Sequence, residues 1–159
     1  MPERPELDYV VPILDRELTG RRITAVRVED PVVLRMAVAG DVREALPGRR
    51  ITGVSRRTHF VMVALDGDPP RELAMHPMLA GRFRLDRAGD KQHKKTAFVL
   101  ALDDGRELRY RDDKQMGKVY VLDPAQRAGV PRLGAVGVDV LGPEFTPAAF
   151  RQLAKKRRD

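Results

Sequence analysis

The chain has 159 residues, 42% hydrophobic and 33% charged, without cysteine; this fits one globular domain and excludes disulfides, a thiol nucleophile and a cysteine-built zinc site. No run of eighteen or more apolar residues and no basic-then-apolar leader is present, so no membrane association and a cytoplasmic location are expected. Thirty Lys and Arg against 23 Asp and Glu give +7, with three Tyr, five Phe and no Trp, a balance that favours a duplex held through its phosphates over a stacking platform for single strands.

In chain order, Leu7, Val10, Val11, Leu14 and Leu18 recur at helical spacing and predict a helix of about fourteen residues that stops at Thr19-Gly20. Pro12 is expected to kink this helix or delay its start. "RRITAVRVED" reads as a strand whose alternation slips, as at a bulge. "VVLRMAV" reads as another strand, followed by a helical turn at "DVREAL". "RRITGVSRRTHFVMVALDG" gives two strands or one long bent strand, and "FVMVAL", apolar on both faces, is a buried central one.

Farther along, "RELAMHP" and "GRFRLDR" flank a loop over Pro77–Gly81. "TAFVLALDDGRELRYRD" is a hairpin turning at Asp103-Asp104-Gly105, and "GKVYVLD" adds a strand. Thr146-Pro147 supplies a cap and first position for the helix "PAAFRQLAKKRR". The total is about eight strands between an N-terminal and a C-terminal α-helix, a mainly β protein built as an antiparallel β-sandwich.

The polar motifs have plain readings one by one. "MPERPE" makes a good first helical turn, its carboxylates favoured by the dipole. "HPMLAGRFRL" makes a strand, a turn and a strand. "RYRDDKQMGKVYVL" makes a solvated loop. His59, His76 and His93 are scattered, with no spacing for a metal site.

Their order along the chain carries more. "PERPELD" resembles the opening P-E-L-P-E-V-E of the formamidopyrimidine-DNA glycosylase / endonuclease VIII family. "SRRTHFVMVAL" resembles its R-R-G-K-Y-L, "MHPMLAGRFRL" its H-L-G-M-S-G-R loop, "LRYRDDKQMGKVYVL" its L-R-Y-N-D-P-R-R-F-G, and "LGPEF" its L-G-P-E-P. The match runs in order over nearly the whole chain.

The resemblance implies a base-excision repair enzyme, a bifunctional DNA glycosylase and abasic-site lyase, acting as a monomer on double-stranded DNA with a damaged base or abasic site, near the nucleoid. Pro2, freed by loss of Met1, would be the nucleophile at the sugar C1′. Its secondary amine would be partly neutral at physiological pH; an intact Met1 would block this chemistry. Glu3 would be the acid–base group, and Glu6 would hold the N-terminal segment in place. Leu79, Gln115 and Met116 correspond to the residues that fill the gap left by the extruded base, where apolar wedges serve. His76, Arg57, Lys114 and Lys118 are the expected phosphate neighbours.

Departures from the family pattern carry consequences. His59 stands at the catalytic-site lysine of R-R-G-K, and a shorter, mostly neutral side chain anchors phosphate less strongly. Gln115 stands at an arginine, so the family's opposite-base preference does not carry over. Residues 1–145 would form the N-terminal domain, and 146–159 would begin a helix leading into a helix–two-turn–helix domain that this sequence lacks. The family's zinc finger would also lie downstream, so no cofactor is expected in this chain. Two other readings stay open: a non-catalytic duplex-binding or lesion-sensing module that keeps the fold, and an RNA- or ribosome-binding β domain, which accounts for the charge but not for the ordered motifs.

Overall fold

The structure, a computed structural model, describes residues 4–134, 138, 140 and 143–155; Pro2 and Glu3, expected as nucleophile and acid, lie outside them. Helix α1 (Arg4–Leu18) buries Leu7, Val11, Leu14 and Leu18 along one stripe, as the spacing predicts. It begins at Arg4, so the exposed Pro12 does not delay its start. Asp15 ties α1 to the sheet beneath: its Oδ1 accepts the Val54 amide at 2.7 Å and the Thr19 hydroxyl at 2.8 Å.

The strands are β1 (Ile23–Val28), β2 (Leu34–Met36), β3 (Ile51–Arg57), β4 (Phe60–Leu65), β5 (Arg71–His76), β6 (Gly81–Arg87), β7 (Thr96–Leu102), β8 (Arg106–Asp112) and β9 (Lys118–Leu122), with short α2 (Val42–Ala45) and α3 (Pro147–Lys155). They form a four-stranded sheet in the order β1-β7-β8-β6 and a five-stranded one in the order β2-β9-β5-β4-β3. Val26, Phe98, Leu100 and Leu108 of the first pack against Val61, Val63, Leu73 and Val121 of the second in one buried cluster. Each such side chain contributes about 1.5–3 kcal/mol by leaving water.

One alternative is decided and one expectation changes in detail. "RRITGVSRRTHFVMVALDG" forms two strands, β3 and β4, which brings the described strands to nine. "VVLRMAV" is strand only over Leu34–Met36, because Asp30 caps a 3₁₀ turn over Pro31–Val33, its Oδ1 accepting the Val32 amide. The short β2 that remains pairs parallel to β9, so the sandwich is not wholly antiparallel. The slip in β1 is present as a register shift between Ile23 and Ala25, and Thr146 Oγ1 caps α3 by accepting the Ala149 amide at 3.1 Å.

The both-face apolar pattern of β4 has a packing reason. Val61, Val63 and Leu65 face the space between the sheets, while Phe60 and Met62 meet Ala74, Leu122, Val130 and Leu133 on the outer side. That outer layer comes from the segment after β9, a 3₁₀ stretch over Pro124–Gly129 held to β5 by the ion pair of Arg127 with Glu72, Nε to Oε2 at 2.6 Å.

Candidate nucleic-acid interface

Three connections and one later turn meet at one end of the sandwich. The β3–β4 turn places the His59 ring in a stack on His76, centroids 6.2 Å apart, and the Phe60 ring sits edge-on to His76 at 4.7 Å. His76, Met78, Met116, Lys118 and Arg132 surround a cavity of about 160 Å³ floored by Phe60 and Tyr120. This joins the β5–β6 loop, the β8–β9 loop and the turn at 131–134. Helix α1 starts at the same end: Glu6, Leu7 and Val10 face Gly81, Arg82 and Phe83 across a cleft of about 90 Å³. The Arg56 Nε also meets Asp8 Oδ1 at 2.6 Å.

The backbone is strained here. Among the described residues, the non-glycine positions with positive φ are Thr58 (53°), Met78 (45°), Gln115 (55°) and Arg132 (65°), one in each of the converging segments. Such conformations cost on the order of 1–3 kcal/mol each and persist only where surrounding contacts impose them.

Asp112, 1% exposed, imposes the one at Gln115. Its Oδ1 accepts the Lys114 amide at 3.1 Å and its Oδ2 the Gly117 amide at 2.6 Å, while the Tyr110 hydroxyl donates to Oδ2 at 3.4 Å. Burial, and then the Asp112 charge, push the Tyr110 phenol well above its ordinary range, so it stays a donor. Glycine is required on both sides of that hydroxyl: a Cβ at Gly117 would lie 1.8 Å from it and one at Gly81 2.5 Å from it. One buried Tyr–Asp pair thus holds the ends of both loops.

The loops present what the sequence motifs single out. Leu79 is 50% exposed and Met116 41%, although both are large and apolar. Gln115 is exposed, with Nε2 donating to Asp30 Oδ2 at 2.7 Å; Asp30 therefore holds the Gln115 amide. His76 is buried, and its Nδ1 accepts the Met78 amide at 3.1 Å. Burial, followed by the nearby His59 and Arg132 charges, lowers its pKa to about 4. It is a neutral ring at physiological pH, so any contact with phosphate is by donation from Nε2 rather than by charge.

His59 and Arg57 are exposed at the end of the β3–β4 hairpin, Lys114 is exposed, and Lys118 is half-buried at the cavity. Glu6 lies in the first turn of α1.

Many arginines meet carboxylates, as in Arg27–Glu107, Arg106–Glu17, Arg109–Asp86 and Arg127–Glu72, and Arg22, Arg35, Arg49 and Arg50 donate to backbone carbonyls instead. Arg57, Lys114, Lys118 and Arg132 have no ion-pair partner among the described residues. Cations left unneutralised around exposed apolar tips form a surface for a polyanion.

One basic stretch beside this end is marked by none of the motifs. The β6–β7 loop carries Lys91, Lys94 and Lys95, and its Gln92–Thr96 part lines a polar cleft of about 470 Å³ together with Gln115 and Asp30. Arg109 fixes the loop by donating to the carbonyls of Arg87 and Asp90 at 3.2 and 3.1 Å. The signal was there in "KQHKK", a short basic run beside a strand. No group of three or more His, Asp or Glu among the described residues could hold a metal ion, and no described helix is long and apolar enough to cross a membrane.

A family model for the formamidopyrimidine-DNA glycosylase N-terminal domain matches residues 1–119. The chain belongs to the formamidopyrimidine-DNA glycosylase family. It is 32% identical to the formamidopyrimidine-DNA glycosylase of Chloroflexus aurantiacus over 99% of this chain and 55% of that protein. With the Bacillus subtilis formamidopyrimidine-DNA glycosylase it shares 29% identity over 99% of this chain and 57% of that one. In fold it resembles Lactococcus lactis Fpg, solved in complex with abasic-site DNA, at a TM-score of 0.70 and 23% identity over 78% of this chain and 45% of that chain. The chain spans about half the length of the curated relatives it matches.

Membership in the formamidopyrimidine-DNA glycosylase family makes two of the strained positions informative. Thr58 and Met78 stand where the family's R-R-G-K and H-L-G-M motifs have glycine, and both keep positive φ. Each carries a side chain on a left-handed backbone that glycine suits best.

Proposed function

We propose that this chain is the nucleophile-bearing, lesion-facing half of a base-excision repair enzyme, a DNA N-glycosylase for oxidised or ring-opened bases with abasic-site lyase activity. The observation that carries this reading is the convergence of exposed Leu79 and Met116, among cations without carboxylate partners, at the end of the sandwich where α1 begins. The duplex would lie against this end with its phosphates on Arg57, Lys114 and Lys118. The apolar tips would occupy the space vacated by the extruded nucleotide, which offsets a few kcal/mol of unstacking.

In this reading the free Pro2 amine attacks C1′ while Glu3 protonates the departing side, so the C1′–N bond breaks as the C1′–Pro2 bond forms. The sugar opens to an iminium on Pro2, loss of a C2′ proton expels the 3′-phosphate, and water releases the protein. Glu6, facing Gly81 and Arg82 across the α1 cleft, would fix the entry of the N-terminal segment. No metal or cofactor enters these steps. Such an enzyme would work at the nucleoid, in the cytoplasm.

Borohydride trapping tests the reading. Protein whose mature N-terminus is verified as Pro2 by mass spectrometry, supplied with any downstream domain its gene encodes, should cross-link covalently to an abasic-site duplex. An N-terminally blocked control should not. Absence of trapping by the verified protein, with duplex binding intact, would leave a non-catalytic DNA-binding module in place of the enzyme.

A further inference from the structure

The cavity beside His76 has a cation that no motif singles out. Arg132 lies in the tight turn after the 3₁₀ stretch, where the Leu133 and Gly134 amides both donate to the Val130 carbonyl at 3.1 Å. Val130 and Leu133 on either side are 5% and 0% exposed, packed into the outer cluster with Phe60 and Met62. With its two neighbours buried, the exposed Arg132, at φ 65°, lies on the cavity wall with Lys118 and Met116.

The same turn touches the β3–β4 hairpin directly: the Thr58 hydroxyl donates to the Arg132 carbonyl at 3.4 Å, next to His59. Arg132 has no ion-pair partner among the described residues, and its charge is close enough to hinder protonation of His76, after the effects of burial and of His59.

We propose that Arg132 binds a backbone phosphate of the duplex at this cavity, supplying there the permanent positive charge that position 59, a histidine where the family motif has lysine, does not. The proposal rests on the DNA-binding reading of this surface. The physical case is partial pre-organisation: two core residues anchor the turn's backbone, so binding has only the side chain to order, and the planar fork of the guanidinium suits two phosphate oxygens at once. Lys118 and the His76 Nε2 edge, which line the same cavity, complete a site for one phosphodiester, and Met116, also on its wall, couples that grip to the wedge.

The experiment is a salt titration of duplex affinity, using a duplex with a tetrahydrofuran abasic analogue and the full chain in wild-type, Arg132→Gln, Arg132→Lys and Arg132→Gln/His59→Lys forms, each checked for folding by thermal melting. Arg132→Gln should weaken binding about tenfold at low salt and lower the log–log salt slope by about 0.9, the value for one lost phosphate contact. Arg132→Lys should restore the slope, and His59→Lys should recover most of the affinity lost in Arg132→Gln. Wild-type binding with an unchanged slope in Arg132→Gln would overturn the Arg132 assignment alone. A wild-type chain that does not bind duplex even at low salt would overturn the DNA-binding reading and this site with it.

Discussion

The Asp112 carboxylate receives the Gly117 amide at 2.6 Å, closing the β8–β9 loop over five residues that include Gln115 and Met116. Because the same carboxylate also takes the Lys114 amide and the Tyr110 hydroxyl, the loop's shape depends on one buried acceptor. Asp112→Asn keeps the size but puts an NH₂ where an acceptor is needed, leaving buried donors unpaired. It should lower stability by roughly 2–3 kcal/mol, seen in urea unfolding. It should also abolish the preference for abasic over intact duplex, because Met116 is no longer held out. A variant with wild-type stability and preference would show that the loop is shaped by other contacts.

Gly117→Ala should be among the most damaging small changes in the chain, since the added Cβ would fall 1.8 Å from the Tyr110 hydroxyl. Removing that oxygen should relieve part of the clash. In a double-mutant cycle, Gly117→Ala should cost less in a Tyr110→Phe background than in wild type, with a coupling of about 1 kcal/mol or more. Additive effects would mean the Tyr110 hydroxyl is not what excludes a side chain at 117.

Leu79→Ala and Met116→Ala remove apolar atoms from exposed positions, so thermal melting should move little. Under the wedge reading, each should nevertheless cut the affinity ratio of abasic over intact duplex about tenfold, because the vacated stack is no longer filled. Loss of stability with the ratio intact would mark both as packing residues.

The buried His76 predicts a pH dependence. Its pKa in the fold, about 4, lies below the ordinary value of 6.5, so between those values the unfolded chain binds a proton that the folded chain does not. Stability should therefore fall as pH drops from about 6.5 towards 4, by on the order of 2–3 kcal/mol from this group. His76→Gln, with no titrating ring, should be flatter than wild type across that window when unfolding is followed at a series of pH values. Parallel curves would assign the acid sensitivity to the carboxylates.

Local physics made much of the architecture legible in the residues themselves. The stripe of Leu7, Val11, Leu14 and Leu18, the turn at Asp103-Asp104-Gly105 and the Thr146 cap are decided by spacing and by near-neighbour hydrogen bonds, and all three stand in the structure. The ordered motifs pointed to the family and to Leu79 and Met116 as loop residues. Where pattern failed, a short-range competitor prevailed: "VVLRMAV" has the composition of a strand, but the Asp30 cap turned its first residues into a 3₁₀ turn.

What the chain alone could not decide depends on groups brought together from far apart. Nothing near Arg132 in sequence hints that it shares a cavity with His76 and Lys118, nor does anything near Gln115 reveal that Asp30, 85 positions away, holds its amide. Tyr110 reads as an ordinary strand aromatic until Gly81 and Gly117 are seen packed against its hydroxyl. Periodicity reports which face of an element is buried, and only the pairing of the sheets determines what that face meets. Residue order pointed to the family and to most of the elements; the tertiary structure decided which cations meet carboxylates and which glycines are crowded, because charge pairing and close packing act through space rather than along the chain.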